Sequence, residues 1–359
     1  MDALDLFAGA GGLSLGLQQA GIVTLAAVEV DSHAANTFAR HFPSANVLLT
    51  DIRKVDLRQF HGRVELVYGG PPCQPFSSGG LRTAANDQRD MLPSFVEAIK
   101  LIRPDIFLME NVPGLAVGSR RHYLAQTLNA FTSLGYVVAW KILNAADFGV
   151  PQSRLRLFIV GMRNRAFVFP EPTHGPGRPK PHVTVSNVLP PYQLGDPNPA
   201  QVVYAKNPQL RPSPYHGLLF NGGGRPINRA LPAPTILASA GGNKTHFFDD
   251  LNLVPEYHHH LLHGGLPKKG VLLGARRLSV VESAVLQSFP ANMAFHGPAS
   301  AQYEQIGNAV PPLLAAVLGH ALCDQAHSTD TGFYDQDPIF YAVQQRLFRE
   351  RSTLIHGTS

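Results

Sequence analysis

Cys73 stands in the run Gly69-Gly70-Pro71-Pro72-Cys73-Gln74-Pro75-Phe76-Ser77, with two prolines fixing the backbone ahead of the thiol and a third following it. So stiff a loop presents its sulfur instead of packing it, and a presented thiolate is a nucleophile. Glu110 opens Glu110-Asn111-Val112-Pro113 at the end of the apolar run 106–109. Partial burial there would lift the carboxyl pKa toward the working pH and suit it to acid catalysis, although a structural hydrogen-bonding role reads equally well from these residues alone. In Gln152-Ser153-Arg154-Leu155-Arg156 an extended backbone puts both arginines on one side, just ahead of the apolar Leu157-Phe158-Ile159-Val160-Gly161. Asp5-Leu6-Phe7-Ala8-Gly9-Ala10-Gly11-Gly12-Leu13 reads as a strand, a glycine turn and a helix start. Glycine lets backbone approach a ligand, and Glu29 follows about 20 residues on, where a carboxylate can take two ribose hydroxyls. The pattern serves NAD and S-adenosylmethionine alike. Asp51-Ile52 would suit an adenine amino group and the adenine face.

The elements that must position these residues are legible as alternation. Strand-like runs at 4–7, 23–29, 47–49, 64–68, 106–109, 137–143 and 157–160 are interleaved with amphipathic stretches, the first at 12–19. This predicts an α/β fold, a Rossmann-like, mostly parallel sheet with helices on both faces. Ligands in such sheets bind beyond the carboxyl ends of strands, where the candidate residues fall. Later, 277–289 carries Leu278, Val281, Val285 and Phe289 at helical spacing, beginning near Ser279 and ending before Pro290. Pro311-Pro312 then opens a helix whose apolar face is Leu313, Leu314, Val317, Leu318 and Leu322, expected to pack back on the first domain.

At 359 residues the chain fits two domains, or one domain carrying an insertion. The net charge of +5 is modest, but its placement is not even. Residues 165–275 hold ten Lys or Arg against five Asp or Glu, and 17 of the 30 prolines, so that segment carries the whole positive excess. It reads as a smaller, loop-rich domain over 166–275, between a catalytic and cofactor-binding domain at 1–165 and a return segment at 276–326. A tail at 327–359 shows no motif. Cys73 and Cys323 exclude a disulfide framework and lack zinc spacing, and His258-His259-His260 with His263 is spaced poorly for a metal, so none is expected. No run of about 18 apolar residues and no basic, apolar leader is evident, which points to a cytoplasmic protein without a membrane.

Taken together, these residues resemble the DNA cytosine-5 methyltransferase family of the bacterial modification-enzyme type, over about 3–161 and 276–318. The cofactor loop at 7–13, Pro72-Cys73-Gln74, Glu110-Asn111-Val112, Gln152 to Arg156, 277–289 and Gln305-Ile306-Gly307-Asn308-Ala309-Val310 follow the family's order. The resemblance implies S-adenosyl-L-methionine as cofactor, bound by Phe7, Ala8, Gly9, Gly11, Gly12, Leu13, Glu29, Val30, Asp51, Ile52, Gly70, Pro72, Leu92, Asn308 and Val310. It implies Cys73 as nucleophile toward carbon 6 of a flipped-out cytosine, Glu110 at ring nitrogen 3, Arg156 at O2, and Arg154 supporting the phosphate or the loop. The polar stretch 78–90 becomes a loop that closes over DNA, with Ser77, Arg82 and Arg89 in contact. The basic segment becomes a target-recognition domain, with Arg225, Asn228, Arg229, Asn243, Lys244 and Thr245 as readers of double-stranded DNA. A monomer on DNA, beside the nucleoid, with a cognate restriction endonuclease as counterpart, completes what the family implies.

Rival readings fail on particular residues. An RNA-acting relative departs from a plain Pro-Pro-Cys-Gln-Pro-Phe loop, and a silent DNA-binding homologue would show damage at Cys73, Glu110 or Arg156. A dehydrogenase leaves Pro71-Pro72-Cys73 and 152–156 unexplained. Enzymes that methylate exocyclic amino groups carry an aromatic residue after the paired prolines, where this chain has cysteine.

Overall fold

The structure is a computed structural model that describes residues 1–72 and 90–327. By packing, the chain divides into Met1–Cys323 and Asp324–Ser359, and the features below belong to the first unit, apart from the last turn of the final helix. Its centre is a seven-stranded sheet of β1 (Asp2–Leu6), β2 (Val23–Glu29), β3 (Asn46–Leu49), β4 (Leu66–Gly69), β5 (Ile106–Asn111), β6 (Val137–Asn144) and β7 (Leu155–Met162). The order is β3-β2-β1-β4-β5-β7-β6, with β1 to β5 parallel and β7 antiparallel to both its neighbours.

The strands are nearly continuous apolar runs because both of their faces are covered. Leu4, Leu6, Phe107 and Met109 point into one core with Phe95, Ile99 and Phe131, from helices α3 (Leu92–Ile102) and α4 (Arg121–Ser133). Their neighbours Ala3, Ile106 and Leu108 point into the other, with Leu13 and Leu17 of α1 (Gly12–Gln19) and Leu314 and Leu318 of the last helix. Helix α2 (Ser32–His41) follows β2, capped by the Asp31 side chain on Ala34 N.

The 166–275 stretch is as loop-rich as its prolines predict. It holds α5 (Val185–Val188), the antiparallel pair β8 (Tyr204–Gln209) and β9 (Leu218–Phe220), β10 (Phe247–Asp249) and α6 (Leu253–Leu262). β10 pairs with β11 (Ala275–Arg277), and α7 (Val280–Leu286), α8 (Ala299–Asn308) and α9 (Pro312–His327) follow. α7 begins as expected, with Ser279 and Glu282 in a reciprocal capping box. It ends at Leu286, earlier than the apolar spacing predicts, because Gln287 turns inward to bond other segments and Ser288 adopts φ 65°. Ala299–Ala326, which takes in α8 and most of α9, contains a window long enough and, on average, apolar enough to span a membrane, but 61% of that window is buried inside the protein, as in a core helix.

α1 and α9 approach so closely that side chains are excluded at the crossing. A Cβ on Gly16 would lie 2.1 Å from the Pro312 carbonyl oxygen and 2.4 Å from the Ala315 Cβ. Gly16→Ala is therefore expected to destabilise the protein by about 1–3 kcal/mol despite alanine's better helix propensity, as measured by chemical denaturation. A stability equal to wild type would show that the helices part freely.

Candidate active site

The candidate residues gather at the carboxyl ends of β1, β2, β4 and β5 and at the start of antiparallel β7, which enters from that end. Glu110 lies at the end of β5, as its sequence suggested, opposite Phe158 of β7. The pairing with β7 extends β5 to Asn111. Arg156, near the start of β7, reaches Glu110 with Nε 2.9 Å from Oε1, both side chains being largely buried. Burial pushes the Glu110 carboxyl above its ordinary range, while the guanidiniums of Arg156 and Arg154 oppose the rise. The other carboxylate oxygen faces Gly70, where a Cβ would stand 3.0 Å from it. Asn111 donates its amide to the Pro71 carbonyl at 3.1 Å, and Met91 N donates to the Pro72 carbonyl at 3.0 Å. The strand that holds the acid thus also holds the backbone entering the thiol loop. Cys73, Ser77, Arg82 and Arg89 themselves lie outside the described residues.

Beyond β1 the glycine turn takes the backbone through left-handed conformations at Phe7 (φ 63°), Gly9 (φ 57°) and Gly11 (φ 83°). A non-glycine residue held there is strained, the kind of geometry found where a loop is shaped for a ligand. Glu29 is oriented by three backbone donors, Gly9 N at 2.7 Å and Val30 N and Asp31 N at 2.8 Å each. Beside it Val30 is 70% exposed, an apolar face on the rim of the crevice. Asp51 grips Arg53, whose Nη2 is 2.5 Å from Oδ2, and this bond holds the Asp51 carboxyl down at about 2. The Asn308 and Val310 turn arrives from the far end of the chain and lies on the glycine turn, with the Val310 carbonyl 2.5 Å from where a Gly12 Cβ would be. Ala8, Gly11, Gly12, Leu13, Ile52, Leu92 and Val310 are buried, whereas Phe7, Gly9, Glu29, Val30, Asp51, Gly70, Pro72 and Asn308 keep exposed surface. Ile52 packs into the core, so that Val30 is left to offer an adenine its exposed apolar face.

Arg154, expected to support the phosphate or the loop, holds the backbone of other segments. It lies just ahead of β7, two residues before Arg156, and is fully buried, donating to the carbonyls of Ile236 (2.8 Å), Gly307 (2.7 Å) and Ala309 (3.0 Å). A phosphate could reach it only by displacing those bonds. Two of the DNA candidates are likewise turned inward. Thr245 is buried, its hydroxyl accepting from Asn198 and its carbonyl from Arg277. Arg229 stacks 3.8 Å over the Phe248 ring and donates to the Pro190 carbonyl. Asn228 caps its own turn through Ala230 N. Arg225, Asn243 and Lys244 remain exposed, on two loops whose backbones nearly touch: a Gly222 Cβ would meet the Asn243 carbonyl oxygen at 2.0 Å.

Several working residues escaped the sequence. Asp5 is buried under the glycine turn, where Ser14 donates to it at 2.5 Å, and Ser14, Tyr68 and Thr24 continue the chain of hydroxyls at 2.8 and 2.6 Å. Burial raises the Asp5 carboxyl well above its usual range. The available signal was a charged residue inside an apolar strand. Buried Arg277 joins the two exposed loops, donating to the Thr245 carbonyl (2.6 Å) and to Asn221 Oδ1 (2.7 Å). Three of the four histidines of α6 and its end bond to backbone carbonyls, His258 to Arg211, His260 to Leu266 and His263 to His259.

A doubly wound sheet with a glycine turn, a ribose-type carboxylate and a carboxyl–guanidinium pair beside a proline-framed thiol loop defines a nucleoside-cofactor group-transfer enzyme. The comparisons narrow this. The model of the C-5 cytosine-specific DNA methylase family matches residues 1–202 and 240–324, and the chain belongs to that family. It is 36% identical to the type II methyltransferase M1.HphI of Haemophilus parahaemolyticus over 331 residues, 89% of this chain and 86% of that one. It is 31% identical to M.NgoMIV of Neisseria gonorrhoeae over 334 residues, 89% and 96% of the two chains. In fold it is similar to a DNMT2 mutant of Spodoptera frugiperda (TM-score 0.68, 19% identity, 90% of this chain and 99% of that one). A putative DNA modification methyltransferase from an Escherichia coli prophage gives a TM-score of 0.63 at 21% identity, with 91% and 100% covered.

The protein is therefore a DNA cytosine-5 methyltransferase that uses S-adenosylmethionine. Its residues fit that cofactor: an acceptor-only carboxylate at Glu29, held by backbone donors, suits two ribose hydroxyls, and exposed Val30 suits an apolar ring face. The family match omits 203–239, the stretch that contains Arg225, Asn228 and Arg229.

Proposed function

We propose that the enzyme methylates one short recurring sequence in double-stranded DNA, acting through Cys73 on a cytosine rotated out of the helix. The observation that carries this reading is the Glu110–Arg156 pair on adjoining strands, with Asn111 fastening the thiol loop to the same strand. Carbon 5 of cytosine is a poor nucleophile. Addition of the Cys73 thiolate to carbon 6, with a proton shared between Glu110 and ring nitrogen 3, turns the ring into an enamine. Arg156 holds O2 and keeps Glu110 in place. S-adenosylmethionine, held by Phe7, Gly9, Glu29, Val30, Asp51 and Asn308, supplies a methyl group activated by its sulfonium. Carbon 5 would take that methyl as the methyl–sulfonium bond breaks to leave S-adenosylhomocysteine, and transfer of the carbon 5 proton to solvent with expulsion of the Cys73 thiolate would restore the aromatic ring. Stacking in a duplex blocks the ring face, so the base must leave the helix, at a cost of roughly a few kcal/mol.

Residues 166–275 form the target-recognition domain in this reading, between the catalytic domain at 1–165 and the return segment at 276–326. Arg225, Asn243 and Lys244, on the paired glycine loops, meet the bases and phosphates. The protein acts as a monomer in the cytoplasm, with a restriction endonuclease as its counterpart. Mapping 5-methylcytosine at single-base resolution after incubating unmethylated plasmid with the protein and S-adenosylmethionine tests this; methylation confined to one short sequence is expected, and scattered or absent marks would overturn it.

Asp51→Ala is expected to raise the KM for S-adenosylmethionine about tenfold, the loss of one hydrogen bond to a charged acceptor. The variant's thiol stays competent to form a covalent adduct with DNA containing 5-fluorocytosine once cofactor is saturating. An unchanged KM would remove Asp51 from the cofactor site.

A further inference from the structure

The segment 233–236 runs beside 151–154 almost as an added strand. Gln152 and Ala233 bridge in parallel, Ser153 N donates to the Ala233 carbonyl, Ala233 N donates to the Pro151 carbonyl, and the Thr235 hydroxyl donates to the Ser153 carbonyl at 2.7 Å. Gln152 accepts from Ile236 N and donates to Gln287, whose own amide donates to the Ile306 and Ala309 carbonyls at 2.8 and 3.0 Å. Arg154 spans the same three segments with one guanidinium, on Ile236, Gly307 and Ala309. The contact admits no side chain at Gly307, where a Cβ would lie 2.3 Å from the Leu237 carbonyl group. The clasp thus joins three things: the strand start that leads to Arg156, the turn around Asn308, and the 235–238 backbone of the target segment.

This arrangement is a poor device for stability alone. Arg154 is buried with no carboxylate hydrogen-bonded to it, and its Nε has no hydrogen-bond partner among the described residues. Apolar side chains fill such a space at less cost, whereas a fork of donors fixes the relative position of the carbonyls it holds. Methyl transfer needs that fixity, because a misplacement of about 1 Å between reacting groups can cost on the order of 100-fold in rate.

We propose that Arg154 is a positioning residue that makes the cofactor turn and the target segment one body, so that occupancy of either site preorganises the other. The inference rests on the reading of 166–275 as the DNA-facing segment. Coupling of this kind is reciprocal and measurable as the factor by which S-adenosylhomocysteine tightens DNA binding.

The test measures that factor with a duplex carrying the methylated sequence found for the wild-type protein. In wild type it should fall within the roughly 5–150-fold range usual for coupled sites. In Arg154→Lys, which keeps the charge but loses the fork, it should drop to about one. Leu318→Ala, a core variant away from the clasp, controls for lowered stability and should keep the full factor. Should Arg154→Lys fail to fold, Gln287→Ala, which removes the second donor on Ala309, should show a reduced factor. Equal factors in wild type and the folded clasp variant, or no coupling in wild type, would overturn the inference. Failure of the wild-type protein to methylate plasmid would instead overturn the functional reading beneath it.

Discussion

Cys73→Ala should lower methyl transfer by about four orders of magnitude or more, the scale of loss when a covalent nucleophile is removed from an enzyme, while cofactor binding stays within about twofold. Without the thiolate, carbon 5 keeps its aromatic electron demand and the methyl group has no competent acceptor. Nothing else in the described site supplies an equivalent nucleophile: Cys323 lies on α9 and donates its thiol to the Ala20 carbonyl at 3.3 Å. The carbonyls of Pro71 and Pro72 are held by Asn111 and Met91, so the path into the loop is set by β5 and the start of α3, not by the thiol. Transfer of a labelled methyl group measures the first quantity and calorimetry the second. Turnover near wild type would overturn covalent catalysis, and joint loss of turnover and cofactor binding would place Cys73 in the cofactor site instead.

What the sequence made legible was local. Helix α1, strand β2 and the start of α7 follow from glycine, proline and apolar spacing, which act over a few residues, and the structure reproduces them nearly residue for residue. The same locality made the glycine turn and Glu29 readable, because a strand, a turn and a strand fix their distance. Arg154 and Arg156 mark the limit. They are alike in type and two apart, one just ahead of β7 and one at its start. What separates them is that the partners of Arg154 sit at 236, 307 and 309, brought in by the return of the chain, while Arg156 meets Glu110 across the sheet. Thr245 and Arg229 meet partners that sequence could not place for the same reason, Thr245 an Arg277 folded in from beyond and Arg229 the Phe248 ring. Asp5 was hidden differently: a carboxylate in an apolar strand has no visible use until Ser14 and Tyr68 are packed around it.

Glu110→Gln should reduce kcat by roughly 10²–10³-fold, within the span attributed to a positioned acid, and it should also change the shape of the pH profile. The attacking thiolate makes the rate climb as pH rises, whereas donation to ring nitrogen 3 requires the protonated carboxyl. Because burial raises the pKa of Glu110 against the opposition of Arg156, the protonated form persists to higher pH than in an exposed glutamate. The rate should therefore turn down on the alkaline side as pH passes through that raised value, and this limb should vanish in the glutamine variant, which has no proton to lose. The linkage to folding has the same sign. A carboxyl that holds its proton more tightly when folded contributes stability below its unfolded pKa and loses that contribution as pH rises through the folded one. Arg156→Met should shift the alkaline limb to higher pH, because removing the guanidinium 2.9 Å from Oε1 leaves burial unopposed except by Arg154. An alkaline limb that survives in Glu110→Gln would assign it to another group and leave Glu110 as a partner for Arg156 alone.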